Sequence, residues 1–346
     1  MTRKQPIKGR IKQILIAVTL IEIIAIGILF VSLNKKTLNT VDVFTLNKKY
    51  YLSDLPQSKY KYFYELRTNL GNISDLTSTP SWQKTRPVYH INKDGLNSYT
   101  NYSIKKQKDT YRILALGDSF TFGLFLSTQY AWPQVLEKEL NENLHCSNIK
   151  HFEVINLGVG GYDLPYEAER FRLKGAKYKP DLVIWLLKDE DFEWIDNLLQ
   201  PILNTYNINN LSNTQAVSVT GLNFWKKAQT VYDSKYSKEY SIAYTNKALL
   251  NMGKTYHNKL LIINLPQYST DPSVLQTIIN FVQSRKNTYF DNSLPDILSK
   301  GGTFPETHPN RDGDKMIANS LLSYLRNKIL PCKNEPPQLR SGVSHP

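Results

Sequence analysis

The sequence predicts an α/β fold: a three-layer, doubly wound parallel sheet, preceded by one transmembrane helix. Three observations carry that expectation. Short apolar runs alternate with helical patterns from Thr110 onward, which implies a parallel sheet covered on both faces. One of those runs, Arg112–Leu116, stops abruptly at Gly117-Asp118-Ser119, as a buried strand does when it hands a residue to the rim of a sheet. Near the N-terminus, an apolar segment from Gln13 to Leu33 has about the length a helix needs to cross a bilayer, roughly 20 residues.

The strand candidates are Arg112–Leu116, Glu153–Asn156, Leu182–Leu187 and Leu260–Asn264, with Tyr289-Phe290 a weaker fifth. Helical patterns lie between them over Ala131–Asn143, Leu164–Ala176, Glu239–Lys254, Ser273–Arg285 and Asp314–Ile329. Residues Ile195 to Asp233 are Asn-rich and poorly patterned, as an insertion or lid would be. No internal repeat is visible.

Arg3, Lys4, Lys8, Arg10 and Lys12 precede the apolar segment, so the positive-inside bias places the N-terminus in the cytoplasm and the rest outside. The exit, Leu29-Phe30-Val31-Ser32-Leu33-Asn34, has no Ala-x-Ala-like site, and an uncleaved anchor is expected. Glu22 interrupts that anchor; protonation, pairing with another protein and tolerance in a single span all remain open, with tolerance the simplest. The expected organisation is a cytoplasmic tail over 1–12, an anchor over 13–33, a stalk and lead-in over 34–108, the α/β domain over 109–330 and a tail over 331–346.

A chain of 346 residues, 41% hydrophobic and with 22 tyrosines, is long and apolar enough to bury a full core. The net charge of +13 suits anionic polymers or lipid head groups. Lys-rich composition along the whole chain explains it more simply, and no nucleic-acid motif accompanies it.

Chemistry points to Ser119. A serine is a poor nucleophile until a base takes its proton. Of the six histidines, His308 stands in a loop just before the last helix, and in a parallel sheet that loop emerges beside Ser119. The second strand closes in Leu157-Gly158-Val159-Gly160-Gly161, where backbone N–H groups can approach a ligand closely. The spacing is not that of a dinucleotide fingerprint, and no His/Cys/Asp/Glu set has metal-ligand spacing. Neither a cofactor nor a metal is expected.

Together these blocks resemble the SGNH (GDSL-type) hydrolase family over about Tyr111 to Ile329, with Tyr89 to Gly95 resembling the segment before that domain. The resemblance implies a flavodoxin-like sheet and a serine esterase. Ser119 would be the nucleophile and His308 the base. The Ser119 and Gly161 N–H groups would bind the oxyanion. The family's third block, Gly-x-Asn-Asp, is replaced by Lys188-Asp189-Glu190-Asp191, so Glu190 takes the place of an oxyanion-binding Asn. An ionised Glu offers only acceptors, whereas a protonated one donates; otherwise Glu190 points away, Lys188 compensates, or the site is slow or inactive. The family commonly has an Asp two or three residues before the histidine to orient it; here Pro305 is at minus three and Glu306 at minus two, so the ring would be oriented by Glu306 or by a backbone carbonyl.

Cys146 and Cys332 each follow a predicted helix, the first and the last of the domain. In a flavodoxin-like sheet those helices share a face, so a disulfide and two separate thiols both remain open. The implied substrates are acylated carbohydrates or other small esters, such as O-acetyl groups on envelope polysaccharide. Acyl transfer to a glycan hydroxyl is the nearest alternative, and a scaffold that kept the fold without the chemistry is the contrasting class.

Overall fold

The structure, a computed structural model, describes residues 65–74, 80–188, 238–265, 271–330 and 332. The expected anchor, Glu22, Glu190 and the 195–233 insertion lie outside them. Among the described residues no helix is long and apolar enough to cross a membrane.

Five parallel strands form the sheet: β3 (Thr110–Leu116), β4 (His151–Asn156), β5 (Leu182–Leu187), β6 (Lys259–Asn264) and β7 (Thr288–Asp291), in the order β4-β3-β5-β6-β7. That order is the flavodoxin-like one, with its switch point between β3 and β5, the first and third strands of the sheet. Successive residues feed opposite layers, so each inner strand reads as a continuous apolar run. Ile113, Ala115, Val154, Ile184 and Ile263 pack in one layer with Leu136 of α2 (Trp132–Asn143) and Ile317 of α6 (Arg311–Tyr324). Leu114, Leu116, Ile155, Val183 and Ile262 pack in the other. Their partners there are Ala168 of α3 (Leu164–Arg170), Met252 of α4 (Lys238–Thr255) and Ile278 of α5 (Pro272–Gln283).

Two helices depart from the sequence expectation. The segment read as one helix over Leu164–Ala176 is α-helical to Arg170, widens into a π turn over Phe171–Gly175 and closes as a 3-10 turn to Tyr178. Gly175 sits there against Leu157, Phe171 and Leu114, close enough that a β-carbon would stand 2.7 Å from Leu157. The last helix starts at Arg311 rather than Asp314, because the Asn310 side chain accepts from the N–H groups of Asp312 and Gly313 as an N-cap.

Asp314 then serves a different helix. Its carboxylate accepts from Trp132 N–H at 2.9 Å, capping α2, which has no cap of its own. Complete burial pushes this carboxyl well above the usual carboxylate range, with the Trp132 N–H opposing the shift. At the far end of the same two helices, Cys146 and Cys332 are disulfide-bonded across 186 residues of chain. In the chain-entropy model a loop of that length contributes about 4–5 kcal/mol.

Ahead of the sheet, β1 (Leu70–Ile73) and β2 (Tyr89–Ile91) pair antiparallel. This lead-in lies on the chain that follows Ser119. Leu66, Tyr89 and Ile91 pack against Phe122, Leu124 and Phe125. Thr128 N–H donates to Val88 O, His90 N–H donates to Thr128 Oγ1 at 2.8 Å, and Asn97 Nδ2 donates to Phe122 O at 2.8 Å.

Glu137 of α2 supplies a pH-dependent tie. It accepts from Val154 N–H at 2.6 Å and Tyr102 OH at 3.1 Å, joining helix, lead-in and β4. Burial, aided by the charge of Glu153, raises its pKa from 4.5 to about 7 against the pull of those two donors. The folded protein thus binds a proton that the unfolded chain has released. Its stabilising contribution is full below about pH 4.5 and is lost as pH rises through 7. Denaturant titrations at about pH 4 and about pH 8 should show the wild type losing about 3 kcal/mol relative to Glu137→Gln over that interval. Parallel losses would rule Glu137 out as the cause.

Candidate active site

The carboxyl edge of the sheet is where the chemistry-bearing residues gather. Gly117 follows the last residue of β3, and a β-carbon there would stand 2.3 Å from Thr121 Oγ1, at a φ of 154°. Only glycine makes this turn. Asp118 then caps the short helix α1 (Ser119–Phe122), its Oδ1 accepting from Phe120 N–H at 2.8 Å. Ser119 becomes the first residue of that helix, 6% exposed.

Between Phe304 and His308 the chain makes a tight hook: Thr307 N–H donates to Phe304 O, and Phe304 N–H donates to His308 O. Thr307 pays for it with a φ of +81°, a conformation a β-branched residue rarely takes. The hook folds Glu306 back on its neighbour. Glu306 Oε2 accepts from the His308 backbone N–H at 2.9 Å and lies 3.1 Å from Nδ1. Because a carboxylate only accepts, Nδ1 carries the ring proton and Nε2 is left as the acceptor. That Nε2 is 2.9 Å from Ser119 Oγ.

Aromatic rings fix the imidazole from two sides. Phe120 lies tilted at 4.9 Å and Phe125 edge-on at 5.4 Å. Phe125 itself has a φ of +67°. Lead-in groups hold it there: its N–H donates to Tyr89 OH at 2.7 Å, its carbonyl accepts from Gln83 Nε2 at 3.0 Å, and the Trp82 ring meets it edge-on. Phe125 escaped the sequence reading, since a positive φ at a bulky residue leaves no sequence signal.

The glycine turn after β4 borders the serine. A β-carbon at Gly158 would stand 2.2 Å from Phe122 N, so this strand end and α1 touch backbone to backbone. At Gly160 a β-carbon would stand 3.7 Å from Ser119 Cβ, and Gly161 follows with a φ of +76°. Asn156, buried below the turn, accepts from Gly158 N–H at 2.9 Å. The structure therefore brings Ser119, His308 and Glu306 together and sets the Gly158–Gly161 turn beside them. Glu190 lies outside the described residues. Among the described residues, no group of three or more His, Cys, Asp or Glu side chains is placed to hold a metal ion.

A doubly wound parallel sheet with a serine and a histidine in hydrogen-bond reach at its carboxyl edge is the build of an α/β serine hydrolase. The family model described as GDSL-like lipase/acylhydrolase matches residues 113–321, and the chain belongs to that family, which makes it an ester hydrolase. Among curated proteins no sequence matches. Several solved structures resemble it distantly. An acetylxylan esterase from Geobacillus stearothermophilus is 14% identical, with 62% of this chain and 93% of that chain covered and a TM-score of 0.38. A lipase/acylhydrolase from Enterococcus faecalis is 11% identical, covering 64% and 99% at 0.39. A two-domain esterase active on acetylated mannans is 14% identical, covering 68% and 53% at 0.40. At this distance they add nothing to the family match.

Proposed function

We propose that this chain is a membrane-anchored serine esterase, facing outward, that removes short O-acyl groups from carbohydrate of the cell envelope. The observation that carries the chemistry is the 2.9 Å approach of Ser119 Oγ to His308 Nε2, with Glu306 behind the ring. His308 Nε2 takes the hydroxyl proton as Oγ attacks the acyl carbon. The resulting oxyanion is held by the N–H groups of Ser119 and Gly161, and Glu306 stabilises the imidazolium. Collapse expels the alcohol, which receives the proton from His308. Water, deprotonated by the same nitrogen, then releases the acid from Ser119. Glu190 stands at the third donor position of the family pattern; protonated, it would donate to the same oxyanion.

Support for the outward placement comes from the anchor sequence with its basic N-terminal flank, and from a disulfide, which persists in oxidising compartments. Support for a small acyl group comes from burial: Ser119 is 6% and His308 7% exposed. A serine-directed phosphonate applied to the full chain in detergent micelles should label Ser119, as peptide mapping would reveal. The same preparation should release acetate from O-acetylated glycans faster than it cleaves long-chain esters. A folded protein that takes no label would refute the esterase reading.

A further inference from the structure

Lys188 leaves the carboxyl end of β5, the strand that pairs with β3 and so neighbours the Ser119 turn. Its ammonium is 3.4 Å from Asp118 Oδ2, and both side chains are only 4% exposed. The same ammonium lies 5.1 Å from the centre of the Phe120 ring, which also flanks His308. A lysine this deeply buried keeps its charge only against an anion. Where the family run Gly-x-Asn-Asp places a glycine with no side chain at all, this chain places a cation.

Asp118 Oδ2 is not a bystander, because it lies 3.3 Å from Ser119 Oγ. The single hydroxyl proton of Ser119 therefore has two acceptors, His308 Nε2 at 2.9 Å and Asp118 Oδ2 at 3.3 Å. Only the first leads to proton transfer onto the base. A bare carboxylate would be a strong rival, since hydrogen bonds to ionised acceptors are about twice as strong as neutral ones. The other carboxylate oxygen, Oδ1, is already occupied by Phe120 N–H.

Resting on the serine-esterase reading, we propose that Lys188 is a positioning residue for that reaction: by pairing with Asp118 Oδ2 it suppresses the rival acceptor and commits the Ser119 proton to His308. The consequence is a device this chain adds to the family's serine turn. Loss of the ammonium hands the proton to Asp118 and idles the base without touching a reacting atom.

The test reads the ring nitrogen directly. In full chain labelled with ¹⁵N-histidine and held in detergent micelles, the NMR shift of His308 Nε2 reports whether that atom accepts a hydrogen bond, with Ser119→Ala as the unbonded reference. Lys188→Met should move the signal to the Ser119→Ala position, and Lys188→Arg should leave it at the wild-type one. Asp118→Asn combined with Lys188→Met removes the rival carboxylate along with the cation and should restore the wild-type signal. In p-nitrophenyl acetate hydrolysis, Lys188→Met should lower kcat about tenfold to hundredfold with KM unchanged, and the double variant should recover most of it. A wild-type signal in folded Lys188→Met, or a double variant no better than the single one, would overturn the proposal. Should Lys188→Met not fold, the double variant decides alone, because it removes both charges of the Lys188–Asp118 pair: a signal at the Ser119→Ala position would overturn it. The NMR arm needs no turnover, so a wild-type chain that cleaves no ester would defeat the esterase reading and leave the role of Lys188 readable.

Discussion

Replacing Ser119 with alanine should lower kcat for ester hydrolysis by on the order of a millionfold while the protein stays folded. The size follows from the arrangement of the site. Ser119 Oγ and His308 Nε2, 2.9 Å apart, act as one unit: without the oxygen no covalent intermediate forms, and without the nitrogen the oxygen keeps its proton. His308→Ala should therefore cost about as much, and the two substitutions together no more than either alone. That non-additivity is the informative part. Losses that multiply would mean the two residues contribute separately, and a Ser119→Ala protein with substantial remaining activity would place the nucleophile elsewhere. Thermal melts guard the reading, since removing one hydroxyl from the start of α1 leaves the Asp118 cap in place.

The second large effect concerns Glu306. Glu306→Gln should lower kcat by about a hundredfold to ten-thousandfold, with KM changed little. A glutamine oxygen can still accept from His308 N–H and Nδ1, the two donors Glu306 serves now. It brings no charge to the imidazolium that forms as the serine attacks, so the loss should fall on turnover rather than binding. Glu306→Asp tests reach. The Glu306 carboxylate sits two residues before the ring it orients, on a hook that forces Thr307 to a φ of +81°. Shortening the side chain should open the Nδ1 contact and give back only part of the activity. Full activity in Glu306→Gln would mean that the ring is oriented without the carboxylate.

The parallel sheet was readable because each strand is buried on both faces. Leu182–Leu187 has no polar residue to confuse its period, and its bounds match the observed strand. β7 showed only as Tyr289-Phe290 because three of its four residues are partly exposed at the sheet edge and the fourth, Asp291, is polar. The β1–β2 pair left no strand pattern, although Tyr89 to Gly95 resembles the family's lead-in: strands of four and three residues carry no period, and they pack on Phe122, Leu124 and Phe125. The motifs single out Ser119 and His308 in loops at one edge of the sheet, and their 2.9 Å approach follows from strand order. Glu306 was named from its place before the histidine, while its contact with Nδ1 depends on a backbone twist at Thr307 that composition does not disclose. Lys188 could be seen to break the family pattern, but its pairing with Asp118 depends on the register of β5 against β3.

Phe125 shows where such dependence leads. The family match begins at residue 113, and Thr110 opens the sheet, so a gene fragment starting there would encode Ser119, Glu306 and His308. It would lack Gln83 and Tyr89, which hold Phe125 in its disfavoured backbone state against the imidazole. Freed of them, Phe125 would relax, and the histidine would lose one of its two aromatic walls. The stretch that matches the family and the set of residues that fix the imidazole therefore have different borders along this chain.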